Sequence, residues 1–258
     1  MPHSELSRAE AKRLRALRQR SQREQEGLFL AEGIRVVEEL LLSGIVLRSA
    51  VVTTSLEDTD RGRQIANELA ARVTVYTAAE SELKQIADTE TPQGVIVCAV
   101  TPRAQLPPVA PQMTLVLDAI QDPGNFGTLL RSAVAFGAGL VITLPGTVDA
   151  WNGKSIRAAA GTSFHVPIVP AALKEVEDWS RQHGIALWGA AADGESIRAM
   201  PYQEHVAIVM GNEGAGLSSG ARSILHQTVA LPMRGRAESL NAGVAGGILM
   251  YLLSEQSA

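Results

Sequence analysis

The sequence predicts an α/β protein whose larger part is built around a parallel sheet. Five apolar segments follow one another with little polar alternation, which is typical of strands buried on both faces. Segments with helical periodicity separate them, and this alternation predicts a doubly wound, Rossmann-like domain. The predicted strands cover residues 114–117, 139–144, 185–189, 206–210 and 228–231, and the predicted helices cover 128–136, 173–183 and 241–253.

A smaller α/β domain is predicted ahead of this sheet. Helical periodicity and short apolar runs alternate there as well, which indicates a compact unit of its own. The pattern gives a basic helix from residue 8, helices at 34–42 and 64–71, and strands at 46–53, 73–76 and 94–100.

A proline-rich stretch separates the two regions. Residues 101–112 show almost no periodicity, which is typical of an interdomain linker. We therefore expect a first domain over residues 1–104, a linker over 105–112 and a second domain over 113–258.

Composition and charge exclude several classes of protein. The 258 residues are 46% hydrophobic and 19% charged, as is ordinary for a packed globular protein. No apolar run approaches the ~20 residues that span a bilayer, and the charged start lacks the apolar core of a secretory signal. The single Cys98 excludes an intramolecular disulfide, and the histidines show no ligand spacing. We expect a cytoplasmic protein with neither a membrane span nor a bound metal.

A local basic patch is the one sign of nucleic-acid binding in the charge pattern. The net charge of −4 gives no global signature. Between Arg8 and Arg23, however, seven basic residues stand against the single acid Glu10. One interpretation is a solvated helix face with salt-bridged partners, and the other is contact with RNA phosphates. The second interpretation predicts RNA contacts from Arg13, Arg15 and Arg18.

Three polar motifs follow predicted strands of the larger domain. They share glycine, asparagine and charged residues placed directly after an apolar run, which is where an α/β sheet presents its ligand site. The motifs cover residues 122–138, with DPGNFGTLLRSAVAFGA, residues 208–218, with IVMGNEGAGLS, and residues 231–253, with LPMRGRAESLNAGVAGGILMYLL.

Each motif also has a purely structural interpretation. The segment from Asp122 to Gly127 reads as a strand-to-helix turn, after which the helix that starts at residue 128 places Arg131 in its first turn. Glu213 is explained by a favourable position at a helix start. Ser239 and Asn241 are explained as N-caps of the last helix.

Taken in this order, the three motifs resemble those of the SPOUT-class, TrmH-like (SpoU) RNA 2′-O-ribose methyltransferases. The resemblance implies S-adenosylmethionine as cofactor, RNA as substrate, a homodimer, and a deep trefoil knot in the C-terminal domain. The phrases GLFLAEGIRVVEELL, from Gly27, and TPQGVIVCAV, from Thr91, look like the opening and closing elements of the small, ribosomal-protein-like substrate domain of such enzymes.

The resemblance also assigns residues to the site. It implies catalytic roles for Asn125, Arg131, Glu213, Ser239 and Asn241. It implies cofactor contacts from Gly189, Gly211, Leu231, Met233 and Leu240. One departure stands out: family members commonly have a Val-Ser pair after the asparagine of the third motif, where this chain has Ala242 and Gly243.

The role of Arg131 has two interpretations. In the family this arginine acts at the target 2′-hydroxyl, but a guanidinium does not normally lose its proton below about pH 12. We therefore favour a bidentate clamp on an RNA phosphate that orients the hydroxyl. Duty as a general base, with help from a phosphate, stays open.

Other functions compete with this one. Ribosomal RNA is the favoured substrate because of the appended small domain, and tRNA is the alternative. A catalytically idle RNA-binding or ribosome-assembly factor would keep the fold, but the intact catalytic positions argue against it. A dinucleotide-dependent oxidoreductase would share the parallel sheet, but the glycine fingerprint after the first strand is missing.

Overall fold

A computed structural model describes residues 4–233, 235 and 239–256 of the chain. Its described strands are β1 Ser4–Glu5, β2 Leu28–Glu32, β3 Leu47–Val52, β4 Thr74–Thr77, β5 Val95–Val100, β6 Met113–Asp118, β7 Leu140–Thr143, β8 Ile168–Pro170, β9 Ala186–Ser196, β10 Val206–Gly211 and β11 Gln227–Ala230. Its described α-helices are α1 Arg8–Ala16, α2 Arg20–Glu26, α3 Ile34–Leu42, α4 Asp60–Arg72, α5 Glu80–Ile86, α6 Pro123–Ala135, α7 Gly153–Ala158, α8 Leu173–His183, α9 Ser219–Ile224 and α10 Ala242–Gln256.

The chain forms two compact units. The first holds the described residues up to Pro102 together with the later stretch Asp149–Phe164, and the second holds Arg103–Val148 and the described residues from His165 onward. The predicted domain boundaries stay a prediction, but they differ from these units in two respects. The opening stretch of the first unit ends at Pro102 and not at residue 104. The stretch Asp149–Phe164, which we expected in the second domain, packs in the first unit.

The first unit has a mixed five-stranded sheet in the order β1-β4-β3-β5-β2. Its core residues fall into two clusters. One contains Leu14 and Leu17 with Leu83 and Ile86, and the other contains residues of α3 and α4. The later stretch joins the second cluster, where the ring of Trp151 lies 5.0 Å from that of Phe29, centroid to centroid.

Several elements of this unit differ from the prediction. The basic segment forms two helices, α1 and α2. Leu14 and Leu17 are buried, and the chain turns after Ala16. The strand β2 was missed because its apolar run leads directly into α3 and reads as one helical pattern. The helix α5 was missed because it is short and mostly polar. The helix at 34–42 agrees with α3 residue for residue.

The second unit confirms the predicted parallel sheet. Its six strands run in the order β11-β9-β10-β6-β7-β8, and every neighbouring pair is parallel. Val209 of β10 packs into a cluster with α8 and α9, whereas the adjacent Met210 faces Gly246 of α10. Helices therefore cover both faces of the central strands, which explains their continuous apolar sequences. The trefoil knot stays a prediction.

The order of the strands places the site. β6 and β10 are neighbours at the centre of the sheet, and Asp118 pairs with Gly211 where both strands end. The chain leaves β6 towards β7 on one side, whereas it leaves β10 towards β11 on the other. Such a reversal opens a crevice at the carboxyl ends of the strands. The loops after β6 and β10, which hold the first and second motifs, meet at this crevice.

The start of α6 corrects the prediction for the first motif. Asp122 is the N-cap and Pro123 the first residue of the helix, so DPGNFG is the beginning of the helix and not a turn ahead of it. Arg131 therefore lies in the third turn and not in the first. Glycines and an asparagine suggested a turn, but an aspartate followed by proline is also a strong signal for a helix start.

Within the described residues, none of the helices combines the length and the apolar character that crossing a bilayer requires.

Candidate active site

Side chains from all three motifs are joined in one hydrogen-bonded network. Asn125 of α6 donates from Nδ2 to Oε1 of Glu213 at 3.0 Å. Asn241, which precedes α10, donates from Nδ2 to Oδ1 of Asn125 at 2.7 Å. The predicted residues Asn125, Glu213 and Asn241 are thus brought together from positions up to 116 residues apart in the chain. We call these three side chains the Asn125 network.

Asn241 caps the last helix and also binds Asn125, whereas its catalytic role stays a prediction. Its Oδ1 accepts from the backbone N–H groups of Gly243 at 2.9 Å and Val244 at 3.3 Å, so it caps the N-terminus of α10. The same side chain uses its Nδ2 to bind Asn125. The cap therefore fixes the amide in the orientation that the network needs. Ser239, the other candidate cap, makes no hydrogen bond to another described residue.

The cap of α6 fixes Asn125 in a similar way. Oδ2 of Asp122 accepts from the backbone N–H of Asn125 at 2.8 Å, which holds the first turn of the helix beside the sheet. From there the Asn125 side chain reaches Glu213 and Asn241. The amide accepts on one side and donates on the other, and it therefore connects the carboxylate to the last helix.

Asn212 is a site residue that the sequence analysis missed. Its Nδ2 donates to the carbonyl oxygen of Ala119 at 2.9 Å, and its Oδ1 accepts from the N–H groups of Gly214 and Ala215 at 3.0 Å each. Ala119 has a left-handed φ of 57°. Asn212 therefore ties the Glu213 loop to the end of β6. An asparagine directly after a strand, with glycine two residues on, is a turn signal that pointed to this role.

Close packing of α10 against α6 depends on small residues. A Cβ at Gly246 would lie 2.3 Å from Cδ2 of Leu129, and one at Gly243 would lie 2.9 Å from Cβ of Thr128. Gly243 stands at the position of the departure from the family pattern. Its lack of a side chain lets the start of α10 approach α6, so the departure is compatible with the network.

Arg131 lies outside the network. It is exposed on α6, two turns beyond Asn125. Its guanidinium makes no ion pair or hydrogen bond to any residue within the described ranges. Arg131 is therefore available to an anionic ligand on the same helix as Asn125.

Gly189 and Gly211, two predicted cofactor residues, are required by the packing of the protein itself. A Cβ at Gly189 would lie 2.3 Å from Cδ1 of Leu225, and one at Gly211 would lie 2.4 Å from the carbonyl carbon of Gly216. Gly211 therefore allows the Glu213 loop to close on itself. Contact between these glycines and a cofactor stays a prediction.

The remaining predicted cofactor residues lie in the loop after β11 and before α10. Leu231 is half-buried, whereas the side chains of Met233 and Leu240 are 42% and 38% exposed. Exposed apolar groups beside main-chain polar groups are typical of a pocket for a mostly apolar ligand. Arg234, Arg236 and Glu238 of the same motif lie outside the described residues.

The predicted RNA-binding arginines differ in their surroundings. Arg13 pairs with Glu10 at 3.2 Å and with Glu26 at 2.8 Å, and Arg18 lies 3.7 Å from Asp88. Burial acts to lower the pKa of Arg13, but its hydrogen bond to Glu26 and the nearby carboxylates raise it overall. Arg15 is exposed and has no ion pair among the described residues.

The described parts of the chain contain neither a reactive cysteine nor a group of side chains that could bind a metal ion. Burial raises the pKa of the Cys98 thiol to about 12, so Cys98 stays protonated at neutral pH and is a poor nucleophile. No group of three or more histidine, cysteine, aspartate or glutamate side chains is placed to hold a metal ion in those parts.

Comparison with known proteins identifies the family. A family model described as the SpoU rRNA Methylase family matches residues 112–251, which include the first two motifs and all but the last two residues of the third. The chain belongs to this family. The MRM3-like substrate binding domain matches residues 9–97, which lie in the first unit. The resemblance that the motifs suggested is therefore confirmed, and the two matches together cover most of the chain.

Relatives in the SpoU family match over almost their full length. The chain is 34% identical over 238 residues to the 23S rRNA (guanosine(2553)-2'-O)-methyltransferase RlmP of Bacillus subtilis (strain 168), with 92% of each protein covered. It is 30% identical over 243 residues to the 23S rRNA (uridine(2479)-2'-O)-methyltransferase of Streptomyces viridochromogenes, with 90% of this chain and 84% of the relative covered.

A solved structure from the same family carries the cofactor. The crystal structure of the SpoU methyltransferase AviRb from Streptomyces viridochromogenes in complex with AdoMet superposes with a TM-score of 0.87 at 27% identity, covering 97% of this chain and 98% of that one. The residues present here fit S-adenosylmethionine. Exposed Met233 and Leu240 offer apolar cover for an adenine ring, and the loop backbones offer hydrogen bonds.

Proposed function

We propose that this SpoU-family protein transfers the methyl group of S-adenosylmethionine to a ribose 2′-hydroxyl of 23S ribosomal RNA. The observation that carries the proposal is the Asn125 network, because it joins all three family motifs at the carboxyl ends of β6 and β10. An idle assembly factor would have no need to keep such an arrangement of two amides and a carboxylate intact.

The chain's own residues have to hold and orient the two reactants. When bound, S-adenosylmethionine supplies an electrophilic methyl group. We assign its adenine to the loop that contains Leu231, Met233 and Leu240, with main-chain contacts from Gly189 and Gly211. The Asn125 network ties the Glu213 loop to α6 and to the start of α10, which favours reaction by reducing the entropic cost of orienting the reactants.

Arg131 is assigned to the RNA. Its exposed guanidinium has no partner among the described residues, and its planar fork of N–H donors matches the geometry of a phosphate. It therefore suits a bidentate bond to a phosphate beside the target ribose. Holding that phosphate orients the neighbouring 2′-hydroxyl for attack on the methyl group. Ser239, exposed at the start of α10, is assigned to hydrogen bonding with the bound ribose.

Ribosomal RNA is preferred over tRNA for two reasons. The two relatives described above, which align over 92% and 90% of this chain, are both named as 23S rRNA methyltransferases. The match also extends through the substrate-binding domain at residues 9–97, whereas a solved tRNA 2′-hydroxyl methylation enzyme covers 56% of this chain. The part of the chain beyond the methylase domain is therefore the part shared with the rRNA enzymes.

We also propose that the active form is a homodimer that pairs through α10. Val244, Ile248 and Tyr251 are 47%, 39% and 46% exposed, and their spacing of four and three residues places them on one face of the helix. A helix that is apolar on nearly all faces is normally buried on all of them. A second copy of the chain is the partner proposed for this face.

The test of the proposed reaction is methyl transfer from labelled S-adenosylmethionine to protein-free 23S rRNA made by transcription in vitro. Alkaline hydrolysis then reports ribose methylation, because a 2′-O-methyl group blocks cleavage at its nucleotide. We expect one protected position in 23S rRNA and none in transcribed tRNA. Methylation of a base, or of tRNA alone, would contradict the proposal.

A further inference from the structure

The cations of the N-terminal segment fall into two groups with different surroundings. Arg8, Lys12 and Arg15 are all exposed on α1. Their spacing of four and three residues places them on one face of the helix, away from the buried Leu14. We call these three residues the α1 stripe. None of them makes an ion pair or a side-chain hydrogen bond within the described residues.

The other cations of the segment are neutralised by carboxylates. Arg13 lies between Glu10 and Glu26, so this cluster carries a net negative charge. Arg20 pairs with Glu24 at 2.6 Å. The remaining two pairs are Arg18 with Asp88 and the buried Arg23 with Asp149.

We propose that the α1 stripe is the surface through which the first unit binds the sugar-phosphate backbone of the RNA. The proposal rests on the proposed function and deepens it by naming the contact residues. A phosphate gains little from an arginine that already serves two carboxylates, whereas the stripe presents three uncompensated charges. From Arg8 to Arg15 the helix rises about 10 Å, so the charges are spread along a strand and do not meet at one point.

This surface differs from the one that the sequence predicted. Arg15 belongs to both sets. Arg13 and Arg18 are replaced by Arg8 and Lys12, because ion pairs within the unit occupy the former two. Sequence spacing alone did not separate the groups, since Glu26 and Asp88 lie 13 and 70 residues away from their partners along the chain.

The test compares two triple variants of the full-length protein. The stripe variant is Arg8→Gln with Lys12→Gln and Arg15→Gln, and the matched control is Arg13→Gln with Arg18→Gln and Arg20→Gln. Both remove three positive charges from the same segment, so they lower the net charge equally. Binding to protein-free 23S rRNA is measured at several salt concentrations between 50 and 200 mM.

Each phosphate contact contributes about 0.7 to the slope of log affinity against log salt for a single strand. We expect the stripe variant to lose about 2 from this slope and the control to lose less than about 0.7. In methyl transfer, the stripe variant should have a raised KM for RNA with an unchanged kcat. An unchanged slope in the stripe variant, or an equal loss in the control, would overturn the proposal.

Two further variants separate the loss of charge from other effects of substitution. Arg8→Lys with Arg15→Lys retains the charges and should retain the slope. If the stripe triple does not fold, as judged by circular dichroism, Lys12→Gln alone replaces it, with an expected loss of about 0.7. Failure of the proposed function would show as absent methyl transfer by the wild-type protein. The salt slopes judge the α1 stripe separately from that result.

Discussion

At the scale of single residues, the site depends on amides that do two things at once. Asn241 caps α10 through its oxygen and binds Asn125 through its nitrogen. Asn212 holds the Glu213 loop through its oxygen and the end of β6 through its nitrogen. Because an amide has a donor end and an acceptor end, each of these side chains ties a helix or loop to the network. A carboxylate or a hydroxyl of similar size supplies only part of this.

Substitution of Asn241 separates its two roles. Asn241→Asp keeps an oxygen for the cap but places a carboxylate against Oδ1 of Asn125, so Asn125 either loses this contact or rotates and loses Glu213. We expect a free energy of unfolding within about 0.5 kcal/mol of wild type and a fall in methyl transfer of more than ~10-fold. Asn241→Ala should lose the same activity and, in addition, about 1 kcal/mol of stability with the cap.

Chemical denaturation and labelled methyl transfer to 23S rRNA measure these two quantities. Wild-type turnover in the aspartate variant would show that the cap is the whole role of Asn241.

Arg131→Lys tests the phosphate clamp. Lysine keeps the charge but loses the planar fork that binds a phosphate through two bonds. We expect methyl transfer to fall by more than ~10-fold, which corresponds to about 1.4 kcal/mol of transition-state stabilisation, while calorimetry gives nearly unchanged S-adenosylhomocysteine affinity. Arg222→Lys, at an exposed arginine of α9, is the matched control and should retain activity. Equal activity of the two variants would refute the clamp.

At the scale of elements, the sequence predicted those parts whose pattern is determined by burial. The central strands of the second unit and the helices α3 and α8 were predicted correctly. In each of them, burial of one or both faces determines which positions are apolar. The start of α6 was predicted wrongly because Gly124, Asn125 and Gly127 have turn propensities that Asp122 and Pro123 override. The link from Asn125 to Asn241 has no local signal, because it depends on how α6 and α10 pack.

Two neighbouring glycines of α10 make that packing testable. Alanine normally favours a helix over glycine by about 1 kcal/mol. At Gly247 the nearest atom to a new Cβ is Oγ of Ser132 at 2.9 Å, which is able to rotate away. At Gly246 it is Cδ2 of the fully buried Leu129 at 2.3 Å, which has no free space to enter.

We therefore expect opposite outcomes for the two alanine variants. Gly247→Ala should be neutral or slightly stabilising in thermal unfolding, whereas Gly246→Ala should lose about 1–3 kcal/mol through overpacking. It should also lose methyl transfer, since α10 carries Asn241 at its start. Equal stability of the two variants would contradict the close contact between α6 and α10.

At the scale of the whole molecule, the distribution of exposed apolar side chains supports the proposed pairing through α10. Nine large hydrophobic side chains are exposed among the described residues, and five of them lie between Met233 and Tyr251. Isolated exposed apolar residues are normal, but a contiguous set marks an interaction surface. Val244, Ile248 and Tyr251 form such a set on α10, next to the loop that we assign to the cofactor.

Ile248→Lys tests the proposed dimer. The added charge would be buried without a partner in a paired interface. We therefore expect the variant to be a monomer at low micromolar concentration by light scattering, and the wild type to be a dimer. Leu42→Lys is the matched control, because Leu42 is 79% exposed in the first unit, and it should leave the dimer intact. Methyl transfer by the Ile248 variant should fall with dissociation and recover in part at higher protein concentration. A monomeric wild type, or a dimeric Ile248→Lys protein with full activity, would rule out pairing through this face of α10.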